Sequence, residues 1–153
     1  MHRRHAATVS SAAALVVAVA VGLTACSSAA ATFDDAVGQG IAAVETARMA
    51  VDQHLHDRTF TTTATTTLGD ARRELADASM TVSKTDAATA ADAALRADVL
   101  EALADGIGAV NDARDAMAGI GSFDDVVPAL DRAAQALEAL ELRTAPGAQG
   151  RAP

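Results

Sequence analysis

The stretch LRADVLEALADGIGAVNDARDAM, residues 95–117, decides the fold, because apolar residues recur in it at every third or fourth position. This spacing places them on one face of an α-helix, with polar residues on the other faces. The pattern predicts one long helix from Asp86 to Ala118, which either bends at Gly106 and Gly108 or projects past its neighbours. The stripe comprises Ala88, Ala91, Leu95, Val99, Leu103, Ile107 or Gly106, Val110, Ala113 and Met117.

Three further stripes with the same spacing predict three more amphipathic helices, of which the first covers residues 33–56. The step from Leu55 to Phe60 breaks the phase and indicates a turn between the first two. The stripes are Phe33, Val37, Ile41, Val44, Val51 and Leu55; Phe60, Ala64, Leu68, Ala71, Leu75, Ala78 and Val82; and Val127, Leu130, Ala134 and Leu137, with Leu140 close by. The sequence therefore predicts an all-α fold, an up-and-down bundle of four, or alternatively three, antiparallel helices.

The threonine-rich run TFTTTATTT, residues 59–67, is the ambiguous part of this pattern. Its apolar residues keep the helical spacing, which favours a helix. Threonine is a mediocre helix former because its branched side chain restricts χ1, so an extended linker is the alternative. Gly119 and Gly121 are expected to close the third helix.

Two similar tetrapeptides, TFDD at residues 32–35 and SFDD at residues 122–125, mark expected helix starts. A Thr or Ser hydroxyl can accept a hydrogen bond from a free N–H group, and carboxylates in the first turn interact favourably with the helix dipole. The first helix is therefore predicted to start at residue 33, after a Thr32 cap. The fourth is predicted to start at Asp124 or Asp125, so that Pro128 lies near its first turn.

The amino terminus has the three parts of an export signal: a basic start, an apolar run over residues 6–23, and small residues after it. The tetrapeptide LTAC (Leu23, Thr24, Ala25, Cys26) resembles the lipobox of bacterial lipoprotein signal peptides. The resemblance implies that residues 1–25 are removed and that the Cys26 thiol carries a diacylglyceryl group. Residues 26–32 would then be a flexible tether, residues 33–143 the helical bundle, and residues 144–153 a disordered tail. The alternatives are an uncleaved membrane-spanning helix and a free Cys26 thiol.

Composition excludes several classes of function. The net charge of −8 disfavours binding to nucleic acid. The chain contains no Trp or Tyr, which are the usual stacking platforms for sugars and bases. A single cysteine forms no internal disulfide and no paired-cysteine metal motif.

The side chains offer little catalytic or metal-binding chemistry. His54 and His56 are weak metal candidates, because residues two apart on a helix point in nearly opposite directions. Met49, Met80 and Met117 are interpreted as core residues, not as haem ligands. Ser122 is interpreted as a cap, and no nucleophile, base and oxyanion donor can be assembled from the other residues, so no enzymatic activity and no cofactor is expected.

The sequence as a whole predicts a non-enzymatic lipoprotein of the cell envelope, anchored through Cys26 to the outer face of the cytoplasmic membrane. It would act through another envelope protein or as a structural component. The alternative is an extracytoplasmic module that binds a small ligand or a metal inside the bundle. The sequence gives no indication of the oligomeric state.

Overall fold

The computed structural model describes residues 29–145, which form four α-helices and no strand. The helices are α1 (Ala29–Leu55), α2 (Thr61–Lys84), α3 (Ala90–Met117) and α4 (Phe123–Thr144). The prediction of an all-α bundle is confirmed, with four helices and not three. The predicted signal peptide, the lipobox and residues 146–153 lie outside the described residues.

Short connections make sequential helices antiparallel neighbours in an up-and-down arrangement. α1 packs against α2 and α4, and α3 packs against the same two helices. α1 also contacts α3 across the middle of the bundle, whereas α2 and α4 lie on the other diagonal. We call the end with the start of α1 and the connection 85–89 the terminal end, and the end with the connections 56–60 and 118–122 the two-loop end.

Alanine supplies nearly half of the buried apolar residues, so the helices pack closely around a few larger side chains. The predicted stripes of α2 and α3 account for most of their core positions. The largest fully buried side chains are Phe33, Leu68, Leu75, Leu103, Leu130, Leu137, Val37, Val44, Val51, Val82, Val99 and Val110. The four amphipathic faces thus form one continuous core.

The predicted burial of three stripe residues near the two-loop end is wrong. Phe60 is 84% exposed, Leu55 47% and Val127 40%. Phe60 precedes α2 and so does not share its inward face. In α4, Val126 is buried and Val127 is not. Both positions lie about one turn before Leu130, so the spacing alone fits either of them.

Two helix starts differ from the prediction. α1 is already helical at Ala29, the first described residue, so residues 29–32 are not part of a flexible tether, and Thr32 lies inside the helix instead of capping it. The alanines at 29–31 are strong helix formers, which favours this earlier start. α4 begins at Phe123 with Ser122 as its N-cap, and the Ser122 hydroxyl accepts a hydrogen bond from the Asp124 N–H at 3.1 Å. Pro128 is therefore inside the helix, on an exposed face.

The threonine-rich segment is helical from Thr61 onward, as predicted. Ala64 and Leu68 anchor it in the core, and this packing outweighs the low helix propensity of threonine. α3 starts at Ala90, later than predicted, and is continuous through Gly106 and Gly108, so the helix is not interrupted there, which was one of the two predicted alternatives. Gly106, and not the half-buried Ile107, faces the core.

The helix ends carry distinct backbone signatures. At the start of α3, Thr89 and Asp92 form a reciprocal capping box. At its end Gly119 has a φ of 82°, and the N–H groups of Gly119 and Ile120 bond back to the helix in a Schellman motif, as expected for a glycine stop.

α1 ends in the same motif without a glycine. Asp57 takes the left-handed conformation, with a φ of 55°. Its N–H donates to the His54 carbonyl at 3.0 Å, and the Arg58 N–H donates to the Gln53 carbonyl at 2.8 Å. A residue with a β-carbon therefore occupies a position that favours glycine.

Candidate functional site

The most distinctive surface feature is a groove between α1 and α4, in the half of the bundle nearer the two-loop end. We call it the α1/α4 groove; its volume is about 510 Å³. Its floor is formed by the buried Val51 and Leu130, and Met49, Leu55 and Val127 line it with large exposed fractions. Charged side chains complete the lining, namely Glu45, Arg48, Asp52 and Asp131.

The groove exists because α1 and α4 present exposed apolar side chains next to their buried faces. Met49 and Leu55 lie beside the buried Val51 on α1, and Val127 lies beside Val126 on α4. The prediction that Met49 and Met80 fill the core is wrong, since they are 60% and 49% exposed; Met117 packs against the core as predicted. A thioether on the surface provides a flexible, polarisable contact.

Arg48 connects the two walls of the groove. It forms an ion pair with Glu45 one turn earlier on α1, and its Nη2 lies 2.7 Å from Asp131 Oδ1 on α4. The hydrogen bond with Glu45 is the main reason that the pKa of Arg48 is raised above its ordinary value. The contact with Asp131 is an ion pair between the two helices.

Asp52 carries the negative charge nearest the two-loop end of the groove. Its carboxylate pairs with Arg58 in the connection after α1 and lies 3.2 Å from His56 Nδ1. All three side chains are more than half exposed. The pairs therefore contribute little to stability and leave the Asp52 carboxylate accessible from solvent.

The two histidines named as weak metal candidates have different partners. The His54 ring contacts Phe123 of α4, with ring centroids 5.7 Å apart, and its buried Nδ1 makes no hydrogen bond. His56 is exposed, and its Nδ1 lies 2.8 Å from the Asp52 carbonyl oxygen and 3.2 Å from the Asp52 carboxylate. Among residues 29–145, no group of three or more His, Cys, Asp or Glu side chains is arranged to hold a metal ion.

The bundle centre is filled where α1 crosses α3. A β-carbon added at Gly40 would lie 2.7 Å from Leu103 Cδ2 and 3.3 Å from a Leu137 methyl group. One added at Gly106 would lie 3.3 Å from both Leu75 and Val44. At this level the interior lacks room for even one more methyl group.

Two other depressions are open clefts. One of about 730 Å³ lies at the terminal end, between the start of α1, the start of α3 and Arg143. One of about 320 Å³ lies between α3 and α4 and includes Asp98, which pairs with Arg143 at 2.8 Å. Their lining is less dominated by large apolar side chains than that of the α1/α4 groove.

Comparison with known proteins identifies no relative. No protein-family model, curated protein or solved structure matches the chain. Among residues 29–145, no helix has the length and hydropathy needed to cross a membrane.

Cys26, the residue that the sequence predicts to be lipidated, lies outside the described residues, and the sequence analysis missed the α1/α4 groove. Leu55 and Val127 were assigned to core stripes, and Met49 was assigned to the core. The phase break after Leu55 is the one signal in the sequence that indicates a change of environment there. Adjacent valines at 126 and 127 fit the stripe equally well, so spacing alone does not identify the exposed one.

Proposed function

We propose that this protein is a cell-envelope lipoprotein, anchored through a diacylglyceryl group on Cys26, whose helical bundle acts by binding another protein. The observation that carries the proposal is the α1/α4 groove, an exposed apolar surface on a bundle whose centre is packed. Three large apolar side chains converge there, and such a patch is typical of an interaction site.

The geometry suits an anchored interaction module. α1 begins at Ala29, three residues after Cys26, so the terminal end would face the membrane. Met49 lies 20 residues further along α1, about 30 Å away at 1.5 Å per residue. All 20 acidic residues but only nine of the 12 basic ones lie within residues 29–145, and this net charge would be repelled by anionic lipid headgroups.

The alternative, a module that binds a small ligand or a metal inside the bundle, has less support. It requires interior space, and the contacts of Gly40 and Gly106 leave none at the level where α1 crosses α3. The α1/α4 groove is open, so a small apolar ligand bound there would remain partly exposed to water. Small-molecule sites usually bury most of the ligand surface.

Lipid attachment is tested by Cys26→Ala in the full chain, with Ser27→Ala as the neighbouring control. Mass spectrometry and membrane fractionation should show a processed, acylated control and an unprocessed, unacylated Cys26→Ala variant. A thiol is required for thioether formation, so alanine removes the reaction itself. Masses that differ only by the substituted side chains, together with equal membrane retention of the two variants, would refute the anchor.

The interaction function is tested separately by isolating the natively lipidated protein from membranes and identifying what accompanies it. A protein partner present in stoichiometric amount is the expected result. Recovery of a stoichiometric small molecule or metal without any protein would favour the alternative function.

A further inference from the structure

The α1/α4 groove has one long wall, on α1, and one short wall on α4 that runs from Val127 to Asp131, and it is open enough to receive a short helix. Its lining on α1 runs from Glu45 to Leu55, about 15 Å or three turns at 1.5 Å per residue. The antiparallel helices α1 and α4 form its two walls. An amphipathic helix inserts residues at i, i+3 or i+4 and i+7 into a groove of this kind. Met49, at the middle of the α1 wall, can adjust to different partner side chains.

The charges around the groove select the sign of the partner. Its lining contains three carboxylates, those of Glu45, Asp52 and Asp131, and one guanidinium, that of Arg48. Arg48 is already paired with carboxylates on both walls, so it offers little positive charge to a partner. Arg58, which pairs with Asp52 from outside the lining, brings the balance to three carboxylates against two guanidiniums. The rim therefore keeps a small negative excess on a bundle with 20 acidic and nine basic residues, and a partner with basic residues beside its apolar stripe would be attracted to it.

The same charge disfavours a second copy of this chain as the occupant. Residues 29–145 contain 20 acidic and nine basic residues, so two bundles brought together would repel each other. The exposed apolar side chains favour association, but an acidic copy would bring like charges to an acidic rim. A basic amphipathic helix would match the apolar floor with its apolar stripe and the acidic rim with its basic side chains.

We propose that the α1/α4 groove binds a cationic amphipathic helix of a partner protein. The inference rests on the proposed function as an interaction protein and adds the chemistry of the partner. The apolar stripe of the helix packs on Met49, Leu55 and Val127. Its Lys or Arg side chains pair with Asp52 and with the other rim carboxylates.

The test is photocrosslinking in cells with the full chain carrying benzoylphenylalanine at position 127, in the exposed part of the groove. The matched control carries it at position 142, since Leu142 is 78% exposed near the terminal end. The expected product joins position 127 to a peptide with apolar residues at helical spacing and basic residues beside them, at about tenfold higher yield than at position 142. A second copy of this chain, a lipid, an acidic or non-amphipathic peptide, or equal yields at both positions would overturn the proposal.

A charge reversal distinguishes the groove from general attraction to an acidic protein. Asp52→Lys, combined with the crosslinker, should lower the yield by about tenfold, because it places a cation at the rim. Asp70→Lys is the matched control: Asp70 is similarly exposed and similarly paired, with Arg73, but lies on α2 outside the groove lining. Equal losses in the two variants would overturn the assignment. The anchor is scored by mass and fractionation, and the groove by the peptide that is crosslinked to a correctly fractionated protein, so a failed anchor and a failed groove give different results.

Discussion

Asp57 is the residue whose backbone conformation departs furthest from what its side chain favours. It closes α1 with a φ of 55°, whereas the equivalent position after α3 is Gly119. A residue with a β-carbon is sterically disfavoured in the left-handed backbone conformation, although aspartate tolerates this conformation better than most residues. Its carboxylate also lies at the negative end of the α1 dipole, which is unfavourable.

Asp57→Gly should therefore raise the free energy of unfolding by about 1 kcal/mol, through relief of the left-handed strain and removal of the charge. Urea denaturation followed by circular dichroism measures the change. Asp57→Asn is the matched control, since it removes the charge and keeps the β-carbon. The glycine variant should be the more stable of the two; the reverse order would show that the Asp57 conformation carries no strain.

At the scale of helices, the starts of α2, α3 and α4 differ in how their free N–H groups are satisfied. α3 has the Thr89 capping box and α4 has the Ser122 cap, whereas α2 has Phe60 at its N-cap with no side-chain hydrogen bond. Phe60 is also 84% exposed, so it contributes little packing in return. The start of α2 is therefore the weakest of the three.

Phe60→Ser should stabilise the bundle by about 0.5 to 2 kcal/mol relative to Phe60→Ala, because serine can accept a hydrogen bond from the first turn of α2 and alanine cannot. Both variants lose the same exposed ring, so the comparison isolates the cap. Chemical denaturation gives the difference. Equal stabilities would mean that solvent already satisfies these N–H groups fully.

The sequence predicted the existence of the helices better than their ends. The existence of a helix follows from a pattern repeated over many residues. The position of its end depends on one or two residues that either cap the helix or extend it. Thr32 offers a cap, yet the alanines before it extend α1 to Ala29. Thr89, which was not singled out from the sequence, forms the complete capping box. Local chemistry allows several starts, and packing of the whole helix decides between them.

For the whole molecule, the central feature is the close contact of α1 and α3 across one diagonal. Gly40 on α1 faces Leu103 of α3, and Gly106 on α3 faces Val44 of α1. Because the two glycines lack side chains, Leu103 and Val44 of the opposite helices have room to pack against them. Periodicity identified α3 as amphipathic but not which helix lies across from it, because stripe spacing contains no information on diagonal neighbours. The α1/α4 groove was missed for the same reason, as it depends on how two faces meet.

A double-mutant cycle tests this diagonal contact. Leu103→Ala alone should cost about 2 to 5 kcal/mol of stability, and Gly40→Ala alone should be penalised because its methyl group would meet Leu103. In the Leu103→Ala background the new methyl group enters vacated space, so the two changes should couple by about 0.5 to 3 kcal/mol. Equilibrium unfolding of the four proteins gives the coupling energy.

Gly38→Ala is the control for helix propensity, because no atom of another part of the chain lies within 4 Å of its added β-carbon. It should stabilise by about 0.5 to 1 kcal/mol in both backgrounds. If Gly40→Ala behaves identically to Gly38→Ala, α1 and α3 are further apart than described.

An even number of helices returns the chain to the end of the bundle where it started. The Thr144 hydroxyl donates to Asp34 at 2.7 Å, so the last turn of α4 lies against the first turns of α1. The helices thus form a closed ring of neighbours in which the join between α4 and α1 resembles the others. A circular permutant that links residue 145 to residue 29 and opens the chain at Gly121 would keep every helix contact. If the permutant has the same helical content and the same unfolding transition as residues 29–145 in their natural order, the linear order of the helices is not what specifies their packing.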